Sequence, residues 1–468
     1  MTRRRASRLE DAPLPRRLSW SLGSGTILQG LNSAIIAIAL VPIAAEFGQS
    51  DSIPWLVSGL YIAAAVGSPT AGRLSDLFGP RRIYLAGLII ALVASVAGPF
   101  MPSAEALVAD RILLGLGTSA QFPAAMAIIR RQAALGGNSP RTAIGTIALC
   151  GQTSAAIAPT IGGIVVVTTG WEGVFWVNVP VILLSFLMVM LVIPADPAPD
   201  SASSGNAVAR FTSAMRAIDP LGIILFIAAL SAAMVGVLSL NDNPQWGILA
   251  AAVPLAALFA WRELKSRQPF IDVRLLVRNR DLMATCGRAI ITFISFYSIF
   301  YGLPQWLETT AGLDAGLTGL LMFPIFGVGI VSTLVASRLG RRVSPRVLLL
   351  IGSLAVVTAG VVVIVVFHES TPIWAIALVS VLFGVPNGFN NLGNQFLLHE
   401  SAPAGSAGTA SGIYRTSQYL GAIVSSLIVA HVLNVALPDG GIESFGFLIL
   451  GCGILMLLTS GIWRVFRR

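Results

Sequence analysis

The chain has 468 residues, of which 55% are hydrophobic and only 11% charged, with a mean hydropathy of +0.82. Soluble domains carry about 25% charged residues, so most of this chain must sit in lipid. Its net charge of +9 does not imply nucleic acid as a partner. The basic residues fall in short segments between apolar runs, where topology signals sit, and no soluble region of domain size could carry such a site.

Met1 to Arg17 is arginine-rich and precedes an apolar run, as a secretory signal would be. That run, at about 21–45, is too long for a signal core, and further spans follow, so it predicts a retained first helix. Apolar stretches of bilayer length recur at about 53–73, 82–101, 105–129, 142–167, 174–193, 219–240, 246–262, 282–304, 315–337, 346–367, 373–396, 408–433 and 444–463, which makes fourteen. With the N-terminus in the cytoplasm, all but three of the 30 Lys and Arg residues fall in cytoplasmic segments and none in outer loops. A shift of one crossing destroys that pattern, so both ends are expected on the cytoplasmic side. The exceptions, Arg111, Arg288 and Arg415, lie inside spans. The nine tryptophans fall near predicted span ends, where an amphipathic ring prefers the headgroup level. Cys150, Cys286 and Cys452 lie in apolar segments, which indicates no disulfide framework or metal site.

Pro194 to Ala217 is rich in Pro, Ala, Ser and Asp and predicts a flexible cytoplasmic linker. The expected organisation is a tail at 1–20, a six-helix bundle at 21–193, a linker region with two extra helices at 194–281, and a second six-helix bundle at 282–468. The fold class is all-α and integral to the membrane, in a six, two, six arrangement. Two such halves around a midplane site suit alternating access.

Between the second and third spans runs Gly72-Arg73-Leu74-Ser75-Asp76-Leu77-Phe78-Gly79-Pro80-Arg81-Arg82. Gly72 permits close backbone approach, and Asp76 offers a carboxylate to helix N-termini or arginines. Gly79 allows a turn with positive φ, Pro80 can start a helix, and Arg81 and Arg82 hold that end in the cytoplasm. The stretch between Ser337 and Arg342 echoes this loop without its aspartate.

Polar groups are costly against lipid, so those inside spans point to a bundle interior or cavity. Asp110-Arg111 joins a carboxylate to a cation, either as a protonation site or as a structural ion pair. Gln121 and Gln152 lie on the fourth and fifth spans. Gly145, Ser154, Ala158, Pro159, Gly162 and Gly163 give the fifth span a small, bent face. Asn387, Asn390, Asn391, Asn394 and Gln395 share one face of the twelfth, as cavity lining or as interhelical glue. Arg415 and Gln418 share a face of the thirteenth, where Arg415 could bind an anion, latch a gate or snorkel.

Gly72, Leu74, Asp76, Gly79, Arg81 and Arg82 resemble the signature loop of the major facilitator superfamily. Arg111 resembles the arginine that this family places on its fourth helix for proton coupling. The Pro159, Gly162 and Gly163 end resembles the antiporter motif, with Ser154 and Ala158 where glycines are usual. Trp171, Phe175, Asn178 and Pro180 continue the likeness. The segment from Leu31 to Leu40 resembles the first helix of fourteen-helix drug:proton antiporters, with Asn32 in place of the usual aspartate and with Ala34 and Ala37 where threonine and asparagine are usual.

The resemblance implies a monomeric exporter of amphipathic small molecules in the cytoplasmic membrane, driven by the proton gradient with no bound cofactor. Without an acid at position 32, coupling shifts to Asp110, to an outer acid such as Glu46 or Glu308, or is absent. It also favours a lipophilic or weakly charged substrate over a strong cation. The rivals are a metabolite or lipid transporter without proton coupling, and a non-transporting receptor of the same fold.

Overall fold

The computed structural model describes residues 13–47, 55–136, 139–196, 219–238, 244–266, 269–271, 273–313, 315–368, 371–403, 407–432 and 441–460. Helix covers part of every apolar stretch predicted above. Among the described residues nine helices are long and apolar enough to cross a bilayer, or ten if the bent pair Arg141–Ala158 and Ile161–Thr169 counts as one. Most of the tail at 1–20, residues 197–217 of the predicted linker and Trp463 lie outside the described residues.

The chain forms two compact units. The first comprises Met1–Leu282 and Ser401–Thr416. It contains α1 (Arg16–Phe47), α2 (Trp55–Phe78), α3 (Pro80–Ala97), α4 (Ala104–Ser119), α5 (Gln121–Gly136) and α6 (Arg141–Thr169). The short α7 (Gly173–Trp176), α8 (Asn178–Val192), the inserted pair α9 (Pro220–Leu238) and α10 (Trp246–Lys265), and α11 (Val273–Arg278) follow. The start of α12 (Arg280–Thr309) and the first turns of α16 (Ala407–Val432) complete it. The second unit, Met283–Glu400 and Ser417–Arg468, holds the remainder of α12 and α16 with α13 (Ala315–Leu339), α14 (Pro345–Val366), α15 (Ile373–Ser401) and α17 (Ile442–Thr459).

Small residues set the packing in the first unit, because lipid supplies no hydrophobic drive between helices and close van der Waals contact must replace it. A Cβ on Gly30 of α1 would collide with the Ser154 hydroxyl and the Gly151 carbonyl of α6. The core between these helices holds Leu31, Ile35, Ile36 and Ala39 against Ala158, Trp171 and Phe175. The apolar residues turned outward, such as Leu183, Leu184, Leu187 and Leu191 on α8, form the face expected against lipid. In the second unit α14 and α17 pack most closely, around Val356, Val363, Phe445 and Ile449.

Two tryptophans depart from the expected interfacial role. Trp171 is 4% and Trp306 1% exposed. The Trp171 indole donates to the Glu46 carboxylate, and Trp306 stacks on Phe367 at 5.6 Å. Each ring finds a partner inside the protein, which removes its reason to sit among headgroups. At the start of the predicted linker, Asp196 accepts from the backbone and side-chain donors described below.

Candidate functional site

The turn between α2 and α3 is the most fully built polar site in the first unit. Gly79 has φ of 100°, which other residues rarely adopt, and Pro80 opens α3 where its missing N–H goes unused. Asp76, beyond the predicted span 53–73, reaches the N-terminus of α16. Its Oδ1 accepts from the Gly408 N–H at 3.0 Å, and Oδ2 accepts from the Thr409 N–H at 2.9 Å and hydroxyl at 2.8 Å. A carboxylate suits those free amides and the positive end of the helix dipole. Burial pushes the Asp76 carboxyl up, and the Thr409 and Gly408 donors and the Arg130 guanidinium only partly offset it. A Cβ on Gly72 would strike the Gly408 carbonyl, so only glycine lets α2 and α16 approach this closely.

The other end of the motif is held from α8. The Arg81 and Arg82 N–H groups, at the start of α3, donate to Asp196 at 3.4 and 2.9 Å. Arg131 of α5 forms an ion pair with the same carboxylate at 3.2 Å. Arg81 also donates from Nη2 to the Met190 carbonyl at 3.2 Å. The arginines thus anchor the α3 terminus largely through their backbone, in addition to any role in topology. Arg73 donates to the carbonyl of Pro269, next to the inserted helix pair.

Asp110 and Arg111 are both buried, at 5% and 1% exposure, and near enough to attract each other, but the guanidinium makes its hydrogen bonds elsewhere. Arg111 donates to the Leu56 carbonyl at 3.1 Å and the Asn32 carbonyl at 3.2 Å, tying α4 to α2 and α1. Asp110 Oδ2 has no hydrogen-bond partner. Asn32 forms a reciprocal amide pair with Asn178: each donates to the other's oxygen, at 2.8 and 3.0 Å. This pairing needs a donor at position 32, which an ionised aspartate lacks.

Gln121 ties α5 to α4 and α3. In the orientation that satisfies its amide, the nitrogen faces the Gly117 and Thr118 carbonyls at 2.9 and 2.6 Å, and the oxygen accepts from the Leu88 N–H at 3.2 Å. On α6, Gly145 and Gly162 are buried, Gln152 is half-buried, and Gly163 faces open space. The helix bends by 47° between Ala158 and Ile161, beside Pro159, whose side chain is outside the described residues. Proline removes the N–H that would continue the ladder. The side chains of Ala34, Ala37 and Glu308 are outside the described residues as well.

Arg415, on the part of α16 that belongs to the first unit, donates to Gln29 Oε1 at 3.1 Å and lies 5.0 Å from the centre of the Phe122 ring. Phe122 stacks on Tyr414 at 6.3 Å. Gln29 did not emerge from sequence reasoning. The available signal was a glutamine inside an apolar span, one turn before Asn32.

In the second unit, the amides of α15 divide into two groups. Asn394 accepts from Arg288 Nε at 3.2 Å and donates to Thr292 at 3.2 Å, and Arg288 also reaches the Thr459 carbonyl at 2.8 Å. Arg288 is therefore a structural clamp across α12, α15 and α17. Asn387, Asn390 and Asn391 line a cavity of about 20 Å³ with Phe293, Phe296 and Met456, room for a single water. Asn391 accepts from Gln395 at 2.9 Å. Asn390 is fully buried with its oxygen unpartnered. Gln418 is buried at 1% exposure on α16 of this unit.

Residues 22–426 match the family described as Major Facilitator Superfamily. The chain is 32% identical over 446 residues to the MFS-type transporter YwoD of Bacillus subtilis, covering 94% of this chain and 95% of that one. It is 28% identical over 452 residues to the tetracenomycin C resistance and export protein of Streptomyces glaucescens, covering 94% and 80%. Among solved structures, the proton:xylose symporter XylE aligns with a TM-score of 0.68 at 14% identity, covering 96% of this chain and 95% of that one.

Proposed function

This chain belongs to the major facilitator superfamily, and on that premise we propose that it exports amphipathic small molecules across the cytoplasmic membrane in exchange for protons. Membership makes it a multi-pass membrane transporter rather than an enzyme. Export is carried over from the relative named for tetracenomycin C resistance and export. One observation carries the proton: Asp110 is a buried carboxyl on α4 with an oxygen that has no partner. Such a group binds a proton in place of the missing donor and releases it when water reaches it.

In this account Arg111 is a positioning residue. Its guanidinium fixes α4 against the carbonyls of α1 and α2, so a change at Asp110 is passed to both helices. Within the second unit, the groups offered to a substrate are the uncharged amides of Asn387, Asn390 and Asn391 and the aromatic faces of Phe293 and Phe296, in a space that must widen beyond its present water-sized volume to admit one. This chemistry suits lipophilic or weakly charged molecules. The account includes fourteen crossings, both chain ends in the cytoplasm, and a monomer.

A second reading, transport of a metabolite or lipid without proton coupling, draws on Asn32. The amide there titrates no proton and is already paired with Asn178. Cells overproducing the protein should retain less of a lipophilic dye than control cells, and a protonophore should erase the difference. Unchanged export after the gradient collapses would replace the first reading with the second.

A further inference from the structure

The cytoplasmic end of the inserted helix pair contains an arrangement that transport does not require. Asp219 precedes α9 and is 4% exposed, and Glu263 near the end of α10 is 0% exposed. Asp219 Oδ1 accepts from the Gly222 N–H at 3.2 Å and pairs with Arg262 at 3.0 Å. Glu263 Oε2 accepts from the Ile271 N–H at 2.8 Å. The remaining oxygens, Asp219 Oδ2 and Glu263 Oε1, have no partner. Both face the same small space over Gly222, where a Cβ would meet the two of them and Phe270. Phe270 borders it, and its ring packs on that of Phe226 at 5.5 Å.

Two carboxylates there are faced by two cations, of which Arg262 forms the ion pair. The cations facing the pair are Arg262, bound to Asp219, and Arg73, which donates instead to the Pro269 carbonyl. Two buried carboxylates side by side are costly, and a proton on Glu263 relieves both that repulsion and its unpartnered oxygen. We propose that Glu263, set beside Asp219, is a proton-binding site in which one bound proton locks the inserted helix pair. Glu263 holds the 269–271 segment at Ile271, and Arg73 of the Gly72–Arg82 motif holds it at Pro269. The bound proton thereby ties α9 and α10 to the motif-bearing end of α2, and its loss to an alkaline cytoplasm loosens that tie. The site is separate from Asp110 and stands whether or not export is proton-coupled.

The test is thermal unfolding of the full-length purified protein from about pH 5 to about pH 8, comparing wild type with Glu263→Gln and Asp219→Asn. A proton bound by the folded state and released on unfolding makes stability fall as pH rises. Wild type should therefore lose stability across this range more steeply than either variant, because an amide supplies the N–H that replaces the proton. A purely structural role would lower the unfolding temperature in the variants and leave the pH slope unchanged. Equal slopes in wild type and in whichever amide variant folds would overturn the proposal. Gly222→Ala, which fills the shared space, should remove the slope difference as well, and a wild-type slope in that variant would also count against it.

Discussion

Arg111 illustrates what a single residue's neighbours decide. Its type and its place in a span were legible in the sequence, and so was its likeness to a coupling arginine. Its partners were not: the Leu56 and Asn32 carbonyls are backbone groups that every residue carries. Replacing Arg111 with alanine strands two buried acceptors, at about 1–3 kcal/mol each. Arg111→Ala should therefore unfold at clearly lower temperature in detergent, while Arg111→Lys, with one compact donor group, should fall between the two. An unchanged unfolding temperature for Arg111→Ala would mean that the two bonds carry no stability. The same limit hid Gln29, whose partner Arg415 lies 386 residues away in sequence, and the pairing of Asn178 with Asn32, which spans 146. Asp196 was hidden differently. Its setting in a Pro-, Ala- and Ser-rich stretch reads as linker, and only the folded chain shows three donors converging on it.

At the scale of elements, hydropathy located the helices because a bilayer demands length and apolarity together. It could not show that Trp171 and Trp306 turn inward, since an amphipathic ring at a span end is equally suited to the interface and to a paired core position. The best-defined contact of this kind is the one between the α2 end and the start of α16. Asp76 accepts all three of its hydrogen bonds there from two consecutive residues. Asp76→Ala should speed hydrogen exchange at Gly408 and Thr409 by roughly tenfold, the equivalent of about 1.4 kcal/mol for charged acceptor bonds. Gly72→Val should do the same by pushing the Gly408 carbonyl away. Equal exchange in wild type and both variants would show that the contact does not hold α16.

At the scale of the whole molecule, the composition alone excluded a soluble protein, and the motif spacing was sufficient to identify the superfamily. The substrate was less legible, because amides and aromatics recognise many lipophilic compounds and a water-sized cavity gives no outline of the ligand. The central claim is that a proton on Asp110 drives export. It is tested most directly in proteoliposomes holding wild type or Asp110→Asn, with a lipophilic dye as cargo and an imposed pH gradient. The account predicts that wild type moves dye against its concentration when the gradient is present. Asp110→Asn should exchange dye downhill at a comparable rate but fail to concentrate it. Gradient-driven accumulation by Asp110→Asn equal to wild type would contradict the claim.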